Sequence, residues 1–141
     1  MDIKELKPTS IWHYFDAITG VPRPSKKEER IREFLLNFAK EQNLEVKVDK
    51  TGNVVIIKEA TPGCEGAPTV ILQAHMDMVC EKNGDVKHDF ERDPIETYID
   101  GEWVKARGTT LGADNGIGMA AAMAVLADDC LLYTSPSPRD S

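Results

Sequence analysis

Two stretches decide how this chain is read: Thr69-Val70-Ile71-Leu72-Gln73-Ala74-His75-Met76-Asp77, and Gly112-Ala113-Asp114-Asn115-Gly116-Ile117-Gly118-Met119-Ala120-Ala121-Ala122. In the first, Val70-Ile71-Leu72 is apolar without alternation, the pattern of a strand buried on both faces. His75 and Asp77 close that strand two positions apart. Strand side chains alternate with period two, so both leave on the same side. The second stretch begins among glycines, which let the backbone turn tightly, and runs into a helix of small residues with Asp114 at its entrance. Imidazole nitrogen and carboxylate oxygen are both zinc donors, and one carboxylate can bridge two metals about 3.5–4 Å apart. A ligating imidazole also needs its other nitrogen held by an acceptor. His75 therefore reads as a ligand, Asp77 as the group that orients it and Asp114 as a bridge with one oxygen for each metal. Taken singly, each has a plainer use: a lone His at a strand end is commonly just hydrogen-bonded, and an Asp before a helix is commonly its N-cap. From the residues alone both readings stay open.

Working outward, Ser10–Thr19 carries Ile11, Trp12, Tyr14, Phe15 and Ile18, a short buried helix closed by Gly20. Val21-Pro22-Arg23-Pro24 forces an extended connection, because a residue before proline avoids the helical region. Ser25-Lys26-Lys27-Glu28 has the form of a capping box. The helix after it places Ile31, Phe34, Leu35 and Phe38 on one face, with Arg30, Glu33, Asn37 and Lys40 opposite, and ends near Gln42. Leu44, Val46 and Val48 alternate with charged residues as in a half-exposed strand, Thr51-Gly52-Asn53 forms the turn, and Val54–Ile57 returns. Thr61–Pro68 is a loop. Val79–Pro94 is a long polar excursion of the kind that often carries function. Ile99–Val104 is a hairpin with Asp100-Gly101 at its turn, and Asp114–Ala127 is the last helix.

Composition narrows the function classes. Seventeen basic against 24 acidic residues give a net charge of −7, which disfavours nucleic acid and anionic membrane as partners. No apolar run approaches the roughly 20 residues needed to span a bilayer, and the first eight residues lack a secretory core. Three cysteines, Cys64, Cys80 and Cys130, are too few and too scattered for a disulfide framework and fit a reducing, cytoplasmic setting. Cys80 has no base placed beside it by sequence, so it reads as inert. His13 reads as packing or surface, His88 as a residue of the excursion with a substrate contact as the lesser alternative, and Arg107 as the partner of an acidic surface neighbour, with a substrate carboxylate as the lesser alternative.

Gln73-Ala74-His75-Met76-Asp77-Met78-Val79 and Gly108-Thr109-Thr110-Leu111-Gly112-Ala113-Asp114-Asn115-Gly116-Ile117-Gly118 together resemble the M20 metallopeptidases. Cys80-Glu81-Lys82-Asn83, His88-Asp89-Phe90 and Ile99–Ala106 extend the resemblance to the aminoacyl-histidine dipeptidase branch, from Met1 to about Asp129. The resemblance implies an α/β fold: the amino-terminal part of a zinc-peptidase-like catalytic domain, a mixed sheet flanked by helices, truncated. It implies two divalent ions, zinc foremost with cobalt or manganese as alternatives. His75 would be a terminal ligand, Asp77 the catalytic carboxylate that orients its ring, and Asp114 the bridging ligand before a cis Asp114–Asn115 peptide. The substrate would be a dipeptide, Xaa-His and broader, and the full-length protein a candidate homodimer. A Glu-Glu pair, a further acidic ligand and a distant His belong to the family pattern and would lie beyond Ala127, so the chain itself is expected to be inactive. The alternatives are another M20-type aminopeptidase or deacylase, or a truncated non-catalytic module that binds metal or a partner.

Residues 130–141, Cys130-Leu131-Leu132-Tyr133-Thr134-Ser135-Pro136-Ser137-Pro138-Arg139-Asp140-Ser141, abandon the preceding periodicity. They resemble a translated sequencing adapter and are expected to be a non-native tail, leaving 1–129 as a partial catalytic domain.

Overall fold

A computed structural model of the chain describes residues 1–129; the expected non-native tail, 130–141, lies outside the described residues. A 3-10 turn at Ile3–Glu5 opens the chain, capped reciprocally: Lys4 N–H donates to the Asp2 carboxylate at 2.9 Å and Asp2 N–H to Glu5 at 2.8 Å. Then follow α1 (Thr9–Thr19), α2 (Glu29–Glu41), β1 (Glu45–Val48), β2 (Val54–Ile57), β3 (Thr97–Asp100), β4 (Trp103–Ala106) and α3 (Ala113–Ala127).

The core lies where the three helices meet. Phe15 and Ile18 of α1, Ile31, Leu35 and Phe38 of α2, and Met119, Ala120 and Met123 of α3 are buried together with Ile3. Trp12 meets Phe15 edge-on at 5.6 Å and Tyr14 meets Phe38 at 5.4 Å, the arrangement the aromatic quadrupole favours. The small residues of α3 allow α1 to approach closely: a methyl group added at Gly116 would lie 3.3 Å from the Phe15 ring. Lys58, just past β2, donates to the carbonyls of Leu126 (2.9 Å) and Asp128 (2.7 Å), satisfying acceptors that the end of α3 leaves free.

The two hairpins fall where periodicity places them. β1 and β2 are antiparallel with Val46 opposite Ile56, and β3 and β4 with Ile99 opposite Val104. Asp49 is the hub of the first turn: its carboxylate accepts from the N–H of Thr51 and Asn53, the Thr51 hydroxyl and the Asn53 amide. Those bonds, the Asn53 side-chain amide first, hold its pKa down to about 2.

Two expectations are corrected. Val70–Leu72 is not a strand; Val70 is 76%, Ile71 85% and Leu72 53% exposed. A strand buried on both faces needs a neighbour on each side, and the described strands form only the two separate hairpins. Nor does Ser25 cap α2. Lys26 adopts a left-handed conformation (φ 70°) and Lys27 N–H bonds back to Pro24 O at 2.9 Å, so the chain turns before the helix starts. Glu28 takes the cap position without a side-chain bond, and the Ser25 hydroxyl goes elsewhere.

Two outcomes follow from this packing. Ile71→Lys places a charge in the exposed apolar run and lowers light scattering at a given concentration, with the melting temperature unchanged; a lowered melting temperature would show that Ile71 is packed. The Asp49 carboxyl titrates with a midpoint of about 2 by side-chain carbon NMR. Its folded value lies below the roughly 3.9 of an unfolded chain, so its stabilisation is complete above about pH 4 and is lost as pH falls through about 2. A midpoint near 4 would contradict the turn network.

Candidate metal centre

Two arms of chain meet beside α1 and α2. One is the segment through His75 and Asp77; the other is the entrance to α3. Val21–Ser25 runs beneath the first arm, with Met78 N–H donating to Arg23 O at 3.0 Å and Pro24 forming a parallel bridge with Met78. Arg23, 1% exposed, donates through Nη1 to the carbonyls of Met76 (3.0 Å) and Asp77 (3.3 Å), and through Nη2 to the carbonyl of Gly112 (2.7 Å). From the other side, the Thr110 hydroxyl donates to Val79 O at 2.6 Å and Asn83 N–H to Gly108 O at 2.8 Å, so the start of the polar excursion is stitched to the segment leading into α3.

These contacts bring the three sequence-derived residues together. The His75 ring lies between two acids: Nε2 is 3.0 Å from Asp114 Oδ1, while Nδ1 is 3.0 Å from Asp77 O and 3.2 Å from Asp77 Oδ1. The Ser25 hydroxyl donates to the other Asp77 oxygen at 2.5 Å. The entrance of α3 explains how Asp114 is left open. Gly112 is left-handed (φ 79°), Asp114 and Asn115 are non-helical, and the Asp114–Asn115 peptide is cis. Asn115, not Asp114, caps the regular part of the helix, its Oδ1 accepting from Gly118 N–H at 3.1 Å. A side chain at Gly118 would collide with that amide, its Cβ only 2.2 Å from Asn115 Oδ1. The plainer reading of Asp114 as the cap is thereby set aside; its carboxylate is 97% exposed.

The electrostatics match this geometry. The Asp114 carboxylate at Nε2 holds the His75 imidazolium above its ordinary range, with partial burial opposing and Asp77 adding. The Ser25 hydroxyl, more than any other group, holds Asp77 below the usual carboxylate range, against partial burial. Burial draws Arg23 down and the nearby Asp77 offsets this; a guanidinium stays charged regardless. The Cys80 thiol is pushed up by burial and bonds to Met78 O at 3.6 Å, consistent with an inert sulfur.

One imidazole nitrogen and one carboxylate oxygen, with the second ring nitrogen held by an acid, suit a zinc-like ion in kind. They provide two of the about three protein ligands a catalytic zinc uses. Among the described residues, no group of three or more His, Cys, Asp or Glu is arranged so that it could hold a metal ion. Of the other residues singled out, His13 packs its ring on Tyr14 at 5.1 Å. Arg107 pairs with Glu96 at 3.5 Å and stacks over Tyr98. His88 lies against Phe90 at 4.5 Å, away from the other histidines' contacts, with a buried Nε2 that has no hydrogen-bond partner among the described residues. Sequence reasoning missed Arg23 and Ser25. Their one signal is the proline-bracketed run Val21-Pro22-Arg23-Pro24-Ser25, which reads locally as a connector.

Fold and sequence together define the class: the chain matches a segment of the M20 dipeptidase fold. It is a homologue of cytosol non-specific dipeptidase from Escherichia coli (strain K12), 53% identical over 132 residues, which is 94% of this chain and 27% of that protein. The crystal structure of aminoacylhistidine dipeptidase from Vibrio alginolyticus superposes with a TM-score of 0.88 at 55% identity, over 91% of this chain and 26% of that one. A tripeptidase from Staphylococcus aureus shares the fold, with a TM-score of 0.68 at 21% identity over 86% of this chain and 32% of that one. No protein-family model matches. The chain thus spans about a quarter of the length of the dipeptidases it matches.

Asn115→Ala removes the helix cap and lowers stability by about 1 kcal/mol, read from denaturant unfolding. An unchanged midpoint would mean that another group caps α3.

Proposed function

We propose that this chain carries part of the metal centre of a cytoplasmic dipeptidase, with His75 as a terminal ligand, Asp114 as the ligand that bridges two divalent ions, zinc foremost, and Asp77 as the acid that orients His75. The observation that carries this reading is the His75 ring held between Asp114 at Nε2 and Asp77 at Nδ1. An imidazole flanked in this way can ligate through Nε2 while Nδ1–H stays bonded to the Asp77 main-chain oxygen beside its carboxylate, which fixes both tautomer and ring plane. Ser25 occupies the second oxygen of Asp77 and so keeps the first turned towards the ring. Asp114, free of the capping role, presents a carboxylate open to solvent.

When bound, divalent ions supply Lewis acidity toward a carbonyl oxygen and toward water. The chain's own residues contribute placement: Asp77 accepts a hydrogen bond from Nδ1–H at its main-chain oxygen and sets its carboxylate 3.2 Å from the same nitrogen, and Asp114 holds its carboxylate across a 3.0 Å gap from the ring. The proton transfer of peptide hydrolysis also needs a base near the reacting water, which in the family resemblance is the first member of a Glu-Glu pair. The substrate class, dipeptides including those ending in histidine, rests on the names of the two relatives that are more than half identical. We extend the proposal to residues 130–141 as an adapter-derived tail. Genomic sequence running in frame from Asp129 into a Glu-Glu pair supports both points, and a native continuation as Cys130–Ser141 contradicts the second.

The purified 141-residue chain, free of host peptidases, is expected to show no hydrolysis of a histidine-ending dipeptide, because two donors are too few; measurable turnover would contradict this. Zinc binding, read by chelator competition, is weak. It strengthens as pH rises through the elevated His75 pKa, since the proton competes for Nε2. His75→Ala and Asp114→Ala abolish it, and Asp77→Ala weakens it about 10- to 100-fold. Binding that survives His75→Ala would overturn the ligand assignment.

A further inference from the structure

We propose that Arg23 is the positioning residue of this centre: its buried guanidinium sets the spacing of the arm bearing His75 and Asp77 against the arm bearing Asp114. The proposal rests on the reading of His75 and Asp114 as ligands, but its geometry stands apart from any metal. The carbonyls Arg23 binds belong to both arms. Those of Met76 and Asp77 lie in the first, and that of Gly112 lies two residues before Asp114. The guanidinium is a rigid planar fork, so engaging both arms at once fixes their relative position more tightly than a flexible ammonium would. The helix entrance is also shaped around it. A Cβ at Gly112 would lie 2.6 Å from Nη2, and one at Gly116 would lie 2.7 Å from it. Glycine at both positions is what lets the backbone close on the charge.

Loss of the guanidinium leaves its three carbonyl acceptors without that donor, which costs stability as well as position. What an apolar residue cannot supply is a set of donors aimed at carbonyls from two separate segments. Arg23 touches neither His75 nor Asp114, so it acts through the backbone that carries them.

The test uses Arg23→Met, Arg23→Lys and Gly116→Ala in the full 141-residue chain. Gly116→Ala crowds the guanidinium while keeping its charge, and alanine suits a helix better than glycine. The readouts are the ring ¹⁵N shifts of His75, which report its bond to Asp114, the methyl spectrum of the Phe15–Met123 core, and the affinity for zinc. In Arg23→Met the His75 ring signals are expected to move to solvent-averaged values and zinc affinity to fall about 10- to 100-fold, with the core spectrum native. Arg23→Lys recovers part of both, and Gly116→Ala shifts the same His75 signals. Should Arg23→Met fail to fold, Gly116→Ala decides alone, by the same signals. A native core with unchanged His75 signals in Gly116→Ala and in any folded Arg23→Met overturns the proposal, as does full recovery by Arg23→Lys. If the wild-type chain binds no zinc but the His75 signals still respond, the metal reading fails and the positioning role of Arg23 stands.

Discussion

A buried guanidinium bonded to the carbonyls of two distant segments is the constraint on which the rest of this structure depends. The acceptors of Arg23 lie 53, 54 and 89 residues away along the chain. No local propensity could bring such segments together. With the segments joined, the entrance of α3 lies against α1, where Gly116 admits the edge of Phe15. The same union leaves the His75 ring between Asp77 and Asp114. Prolines on either side of Arg23 keep the backbone extended, so that Arg23 O accepts from Met78 N–H and Pro24 bridges in parallel with Met78 rather than joining a helix.

The division of labour at the entrance of α3 is the second determinant. An acid at a helix start is ordinarily consumed by the first-turn N–H groups. Here the next residue does that work: Asn115 caps, Gly118 makes room for its amide, and Asp114 is left with an open carboxylate. A parallel division holds at the other arm. Ser25, which local pattern assigns to helix capping, instead satisfies Asp77 and leaves its second oxygen for His75. At one arm a polar side chain is diverted from helix capping to an acid of the site; at the other, a neighbour's capping spares one.

Periodicity made the local structure legible. The helical faces of Phe15 and Ile18, and of Ile31, Leu35 and Phe38, are buried as their spacing requires, and both hairpins turn at their Asp and Gly residues. His75, Asp77 and Asp114 stand out in sequence by residue type and by the glycines around Asp114, although the strand expected to carry His75 and Asp77 does not form among the described residues. Arg23 and Ser25 do not stand out, because their partners are remote and a hydrogen bond to a distant carbonyl leaves no periodic trace. Val70–Leu72 misled for a related reason. Its apolar run specifies a strand only where neighbouring strands exist to pair with it, and the described residues offer it none.

A metal centre at this place requires His75 and Asp114 to take up a divalent ion together. Adding substoichiometric manganese to the isotopically labelled chain and recording the loss of side-chain carbon signals tests this directly, because a paramagnetic ion bleaches the groups that hold it first. The expected result is early loss of the His75 ring and the Asp114 carboxyl, with Asp77 next and Asp49 untouched. Uniform loss across the exposed acids, with the His75 ring signals intact, would contradict a shared site.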